Sequence, residues 1–134
     1  MKQSQFLYLG ILDLVLISGL AAVFGLAVLG TSPIVLIGIA GLGAILAGTI
    51  SELSLGPITL SWRYLVGLSY VTFALMWPAI YAPDIVAGTA SRQDLFLFVV
   101  TTIGAFSLAF YGIDIARGGH HFFVQQNVER VIGL

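Results

Sequence analysis

The chain has 134 residues, of which 59% are hydrophobic and 8% are charged, and its formal net charge at pH 7 is −1. Soluble domains carry about 25% charged residues, so this composition excludes a freely soluble globular protein and a disordered one. The chain has only five basic residues and no cysteine. A nucleic-acid surface, which needs clustered Lys and Arg, and any site built on thiolates are therefore excluded as well.

Four apolar stretches are each close to the roughly 20 residues that cross a bilayer as a helix. They run from about 6–29, 33–50, 62–81 and 94–116. In hydrocarbon the backbone must satisfy its own hydrogen bonds, so we expect helices and not open strands. The sequence predicts an all-α polytopic membrane protein, with a four-transmembrane-helix bundle that forms a single domain over residues 1–134.

Local signals mark the helix boundaries. The linker Gly30-Thr31-Ser32 is short enough to make the first two helices an antiparallel hairpin, and Ser32-Pro33 is typical of an N-cap followed by proline at the first helical position. Pro78 is expected to kink the third helix or begin its unwinding. The segment Ser91-Arg92-Gln93-Asp94 has the spacing of a capping box at the start of the fourth helix.

The segment between the second and third stretches has a different pattern. Its apolar residues alternate with Ser and Thr on both sides of the turn dipeptide Gly56-Pro57. This period of two predicts a short hairpin or extended loop at the membrane surface. An irregular loop is the alternative, because an isolated two-stranded hairpin is only marginally stable.

The C-terminal tail, residues 119–134, has apolar residues at helical spacing. They are Val124, Val128, Val131 and Ile132, with polar residues on the opposite side. This spacing predicts a short amphipathic interfacial helix on the cytoplasmic side, lying among the lipid headgroups or against a partner.

The distribution of basic residues predicts the orientation. With four spans, the N-terminus, the second loop and the tail share one side, and these segments contain four of the five basic residues. The four are Lys2, Arg63, Arg117 and Arg130, while Arg92 lies on the opposite side. The positive-inside rule then predicts a multi-pass protein of the cell membrane with both termini in the cytoplasm.

Asp13 is the residue that points most directly to function. It lies about 10 Å below the inner end of the first helix, at 1.5 Å per residue, where a carboxylate needs a partner or water. Arg63, Asp114 and Arg117 fall in the same inner third of the membrane. The sequence therefore predicts an inner polar cluster in which Asp13 and Asp114 pair with Arg63 or Arg117. The cluster is either a structural ion pair or a proton or cation site.

Two further helix faces carry a pattern. On the fourth helix, Ser107 and Tyr111 continue the face of its aspartate as a polar stripe. On the second helix, Ala40, Ala44 and Gly48 repeat every four residues, which predicts close helix packing. That packing is expected against the first helix, with an oligomer or partner interface as the alternative.

The sequence offers little for metal binding or catalysis. His120-His121 are adjacent, and the chain has no other His or Cys to complete a ligand set. The nucleophile elbow, zinc-protease, phosphate-loop and dinucleotide motifs are all missing. We therefore expect no metal, no cofactor and no enzymatic activity.

The run Tyr8-Leu9-Gly10 followed by Asp13 resembles the start of the small multidrug resistance transporters over about ten residues, with Asp in place of that family's Glu. The basic, Gly-Phe-rich first loop of that family is replaced here by Gly30-Thr31-Ser32-Pro33. Its Trp-bearing third-helix signature is also missing. The resemblance therefore does not assign the chain to that family.

The function predicted from sequence is that of a small integral membrane protein without enzymatic activity. The main hypothesis is an accessory or scaffolding subunit of a membrane complex, whose contacts are the lipid bilayer and a membrane-protein partner or further copies of itself. The alternative is a small proton- or ion-coupled transporter that acts as an oligomer through Asp13.

Overall fold

The computed structural model describes residues 1–133, which are mostly helical. The elements in chain order are α1 (Gln5–Phe24), a 3-10 helix (Leu26–Gly30), α2 (Ser32–Thr49), β1 (Glu52–Leu55), β2 (Ile58–Ser61), α3 (Trp62–Val86), α4 (Arg92–Ala116) and β3 (Val131–Gly133). Each of the four α-helices is long and apolar enough to cross a membrane. The predicted all-α class is confirmed, with a small three-stranded sheet added at one end.

The four helices pack side by side in chain order. Extensive interfaces join α1 to α2, α2 to α3 and α3 to α4, whereas α1 and α4 share no comparable interface in the described chain. Burial agrees with this order, because eight residues are buried in each of α2 and α3, against two in α1 and four in α4. The expected bundle is therefore an open row with α1 and α4 at its edges, and it is not closed.

Glycines allow the helix backbones to approach closely. A Cβ added to Gly67 in α3 would lie 2.9 Å from the carbonyl oxygen of Gly112 in α4, and one added to Gly48 in α2 would lie 2.9 Å from the Cα of Leu7 in α1. Real Cβ atoms do not approach backbone atoms so closely. Small residues at these contacts thus allow neighbouring helices to pack closely in the row.

Three helix boundaries differ from the sequence prediction. The first helix ends at Phe24, because Gly25 has φ 89° and the chain continues as the 3-10 helix. The second helix has Thr31 at the N-cap position, one residue earlier than expected. The third helix continues through Pro78 and Pro83 to Val86, although each proline removes one backbone N–H donor.

The capping box at the start of α4 is confirmed. The backbone N–H of Ser91 donates to Asp94 Oδ2 at 2.8 Å, and the backbone N–H of Asp94 donates to Ser91 Oγ at 3.1 Å. These two bonds satisfy donors that the first helical turn leaves without an intrahelical acceptor.

The predicted hairpin is also confirmed. β1 and β2 pair antiparallel from Glu52–Ser61 to Leu55–Ile58, and the turn between them contains Gly56 with φ 61°. The sheet has the order β2-β1-β3, so β1 is its central strand.

The predicted amphipathic C-terminal helix is wrong. Residues 119–130 contain no helix, and residues 131–133 form β3, which pairs in parallel with β1. The extended tail forms backbone hydrogen bonds with distant segments that a helical tail would not form. Ser51 N–H donates to the Arg130 carbonyl at 2.7 Å, and Gln125 N–H donates to the Met1 carbonyl at 3.0 Å. Leu134, the last residue of the predicted helix, lies outside the described residues.

The N-terminus, the hairpin and the tail meet at the same end of the helices, which we call the sheet end. Gln3 joins them, because its side chain is fully buried and its Nε2 donates to the carbonyls of Ala47 and Ile50, each at 2.8 Å. Its backbone N–H also donates to the Gln125 carbonyl at 2.9 Å. One residue thus ties the start of α1 to the end of α2 and to the tail.

Candidate functional site

A groove lies on one face of the helix row, and all four helices contribute to it. Its cavity measures about 190 Å³. It is lined by Phe6, Leu9, Asp13, Ala40, Ala44, Ser69, Tyr70, Phe73 and Leu108. Because α1 and α4 share no extensive interface, the groove is open along the side between them.

Asp13 is the one charged residue of this groove. It is half-buried on the third turn of α1 and packs against α2 at Gly41, where an added Cβ would lie 3.0 Å from Asp13 Cβ. Among residues 1–133, the Asp13 carboxylate has no hydrogen-bond or ion-pair partner. Its charge is therefore not compensated by the described chain.

The two polar residues that line the groove beside Asp13 form no hydrogen bond with it in the described chain. Ser69 Oγ donates to the carbonyl of Leu65 in its own helix at 2.8 Å. Tyr70 packs its ring edge-to-face against Phe6, with centroids 6.3 Å apart. This aromatic pair lies toward the sheet end of the groove, so Asp13 is surrounded mainly by apolar side chains.

The predicted inner polar cluster does not assemble. The second aspartate, Asp114, is buried, but its partners are in the tail: Oδ2 accepts from the backbone N–H groups of His121 at 3.0 Å and Phe122 at 2.9 Å, and Oδ1 lies 3.0 Å from His121 Nδ1. In the described part of the chain, no arginine lies within ion-pair distance of Asp13 or Asp114. This corrects the expected pairing with Arg63 or Arg117.

The two arginines lie away from both aspartates. The Arg63 guanidinium carbon lies 4.8 Å from the ring centroid of its neighbour Trp62, a cation–π arrangement, and Arg117 is exposed. The physical reason is the extended tail, which returns over the end of α4 and brings backbone donors to Asp114.

The two residues of the polar stripe on α4 have different surroundings, because the tail packs against only one of them. Tyr111 packs against Phe122 with ring centroids 4.1 Å apart, whereas Ser107 is exposed. The three predicted packing residues of α2, Ala40, Ala44 and Gly48, are buried inside the chain. Ala40 and Ala44 line the groove, and Gly48 contacts Leu7 of α1.

Sequence reasoning missed Gln3 and the role of His121. No local signal identifies Gln3, because its partners are 44 and 47 positions away. A signal for His121 is present in Gly118 and Gly119, whose φ values of 114° and 73° let the chain reverse directly after α4. That reversal places His121 back over Asp114.

These observations define a helical protein with four apolar helices of spanning length, a laterally open groove and a sheet at one end. Residues 1–128 match a protein family described as a family of unknown function, DUF7994, and the chain belongs to that family. Comparisons with curated proteins and with solved structures found no match.

Proposed function

We propose that this protein is a non-enzymatic accessory subunit of a membrane complex, and that its groove binds a transmembrane helix of a partner protein. The observation that carries the proposal is the Asp13 carboxylate, which faces a laterally open groove without a partner in the described chain. A charged aspartate at the centre of a membrane helix costs up to about 3.5 kcal/mol on insertion scales. A Lys, Arg or hydroxyl donor on a partner helix would offset that cost.

The shape of the groove supports a helix as the occupant. Its floor includes Ala40 and Ala44, whose short side chains allow another backbone to approach. Its walls are apolar, with Leu9 on α1 and Leu108 on α4. Helix association in lipid depends on such close packing together with interhelical polar contacts, and the groove offers both.

The charges of the chain favour a different protein over a second copy as the partner. Lys2 precedes α1, Arg63 and Arg92 lie in the first turns of α3 and α4, and Arg117 and Arg130 follow α4. None of these basic side chains lies at the depth of Asp13 in a helix. A Lys or Arg donor would then belong to a different protein and not to a second copy of this chain.

The proposed orientation places the sheet end, with both termini, in the cytoplasm. Lys2, Arg63, Arg117 and Arg130 belong to this end, and Arg92 begins α4 at the other. This excess of basic residues on one side supports the assignment through the positive-inside rule.

The alternative is a proton- or ion-coupled transporter that acts as an oligomer, because an unpaired Asp13 can also take up a proton or a cation. The hydroxyls beyond it do not continue a polar path. Ser18, Thr72 and Thr101 each donate to the carbonyl four residues earlier in their own helix, at 2.7–2.8 Å. A transporter would need the rest of its path from further copies.

Site-specific photo-crosslinking in the native membrane tests the proposal. A photoreactive residue at Leu9 or Leu108 lies in the groove, whereas one at Leu12 or Ile103 is exposed outside it. We expect the groove positions to give an adduct with one membrane protein and the outside positions to give none. Asp13→Asn should reduce that adduct several-fold, and a reciprocal exchange of charge between Asp13 and the basic residue of the partner should restore it.

Two results would contradict the proposal. One is equal adduct formation from Leu9 and Leu12, or an adduct that Asp13→Asn leaves unchanged. The other is proton or cation flux by the purified protein in liposomes that Asp13→Asn abolishes while the melting temperature stays the same. The second result would establish the transporter alternative.

A further inference from the structure

A second cavity lies at the sheet end, between the base of the hairpin, the start of α3 and the tail. It measures about 320 Å³, and its polar lining comes from Ser51, Glu52, Ser61, Arg63, Gln126 and Glu129. We call it the hairpin pocket. It shares no lining residue with the groove.

The hairpin pocket contains charges of both signs that do not pair. Within residues 1–133, neither Glu52 nor Glu129 lies within ion-pair distance of Arg63, and both glutamates are exposed. Arg63 Nη1 is buried and has no hydrogen-bond acceptor in the same part of the chain. A buried donor on a charged group is costly when it has no acceptor. Nη1 is not accessible from the pocket, so an anion bound there would pair with the other guanidinium nitrogens of Arg63, which have no acceptor in the described chain either.

Two neighbours restrict the position of Arg63. Its guanidinium carbon lies 4.8 Å from the centroid of the Trp62 ring, and Trp62 is only 2% exposed. On another side, a Cβ added to Gly119 would lie 3.6 Å from Nη1, so the turn of the tail packs over the guanidinium. The arginine is thus held in place, and one face of the Trp62 ring is already occupied by a cation.

We infer that the hairpin pocket binds the headgroup of a zwitterionic phospholipid with a primary ammonium, of the phosphoethanolamine type. The phosphate binds Arg63, whose planar guanidinium matches phosphate oxygens. The ammonium donates to Glu52 and Glu129, whose carboxylates accept hydrogen bonds through both oxygens. A quaternary ammonium has no N–H to donate, and the aromatic face that would attract it is covered by Arg63. The inference rests on the membrane placement of the proposed function but not on the groove.

Lipid titration followed by native mass spectrometry tests this inference. The delipidated full chain in mild detergent is titrated with phosphatidylethanolamine, phosphatidylcholine and phosphatidylglycerol that carry the same acyl chains. We expect phosphatidylethanolamine to bind about tenfold more tightly than either of the others, the effect of one lost charge-assisted hydrogen bond. Equal binding of phosphatidylglycerol would overturn the inference, because a simple phosphate site does not need the glutamates.

Matched variants test the separate contributions of Arg63 and of the two glutamates to lipid binding. Arg63→Gln should lower the affinity for phosphatidylethanolamine about tenfold, whereas Arg92→Gln, the same change at the opposite end, should not. Glu52→Gln combined with Glu129→Gln should remove the preference over phosphatidylglycerol. If Arg63→Gln does not fold, this double variant decides the question alone, because both glutamates are exposed. An unchanged preference in it would overturn the inference.

Two further measurements distinguish a lipid ligand from a free phosphate ester, and the headgroup site from the groove. Soluble phosphoethanolamine should compete only weakly, since a lipid is also held by its acyl chains. Competition at the same concentration as the lipid would show that the ligand is a free phosphate ester. Asp13→Asn should leave the lipid preference intact, so failure of the groove proposal and failure of the headgroup site give different results.

Discussion

The carboxylate of Asp114 holds the backbone of His121 against the end of α4. Asp114 Oδ2 accepts the His121 N–H at 3.0 Å, and the next N–H of the tail, from Phe122, donates to the same oxygen at 2.9 Å. Because Asp114 is buried and belongs to α4, these bonds attach the reversing tail to the helix row. The tail then continues to the N-terminus and to β1.

Asp114→Ala should therefore release the tail. The substitution removes the acceptor for two backbone donors, whereas His121→Ala removes only the ring contact and should have a smaller effect. Limited proteolysis of the purified protein in detergent measures this as faster cleavage between residues 119 and 130, together with a lower melting temperature. Asp84→Ala, an exposed acid at the end of α3, is the control. Equal cleavage in the two variants would contradict the assigned role.

The capping box makes a second prediction about stability. Ser91→Ala should lower the free energy of unfolding by about 1 kcal/mol, because the backbone N–H of Asp94 loses its acceptor. Ser61 is the N-cap of α3 but makes no side-chain capping bond, so Ser61→Ala is the matched control and should have little effect. Chemical unfolding in mixed micelles compares the two. A larger loss in Ser61→Ala would show that the box does not stabilise α4.

The close approach of α1 and α2 gives the third prediction. Gly48→Ala places a methyl group against the backbone of Leu7, which no side-chain rotation relieves, and should cost about 1–3 kcal/mol. Gly104 in α4 has no atom within 4 Å of an added Cβ, so Gly104→Ala should be neutral or stabilising by up to about 1 kcal/mol. The melting temperature should fall in Gly48→Ala and should stay the same or rise in Gly104→Ala. Similar shifts would mean that Gly48 is not at a tight contact.

The proposed orientation is tested by cysteine labelling in intact cells, since the chain has no cysteine of its own. Thr59→Cys lies on the exposed face of β2 at the sheet end, and Thr89→Cys lies in the exposed connection between α3 and α4. A membrane-impermeant maleimide should label Thr89→Cys directly and Thr59→Cys only after permeabilisation. The reverse pattern would place the termini outside the cytoplasm.

The sequence was sufficient to predict the helices but not their arrangement. Apolar runs of spanning length predict helices at residues 33–50 and 62–81 because few other structures satisfy the backbone in lipid. Arrangement is harder, since a side chain that faces lipid and one that faces a neighbouring helix are both apolar. Leu12, 53% exposed, and Val66, fully buried, look alike in the sequence. The open row could not be told from a closed bundle on that basis.

The tail and the polar cluster could not be predicted for a related reason. Val124, Val128 and Val131 have helical spacing, but the hydrogen-bond partners of the tail are distant, as for Ser51 and Arg130, which are 79 positions apart. Because the tail is extended, His121 and Phe122 donate hydrogen bonds to Asp114, and Arg63 does not form the expected ion pair with it. Asp13 could be singled out from the sequence, because an isolated acid in an apolar run is visible without knowledge of its neighbours.

The pairing of β3 with β1 has a consequence for assembly. In sequence the two strands stand on opposite sides of α3 and α4, so residue 131 reaches residue 52 only after one helix has travelled away from the sheet end and the other has come back. If only one of these two helices crosses a membrane, the two strands are left on opposite sides. Contacts between such distant segments form late. The sheet can therefore be completed only when α3 and α4 together return the chain to the sheet end.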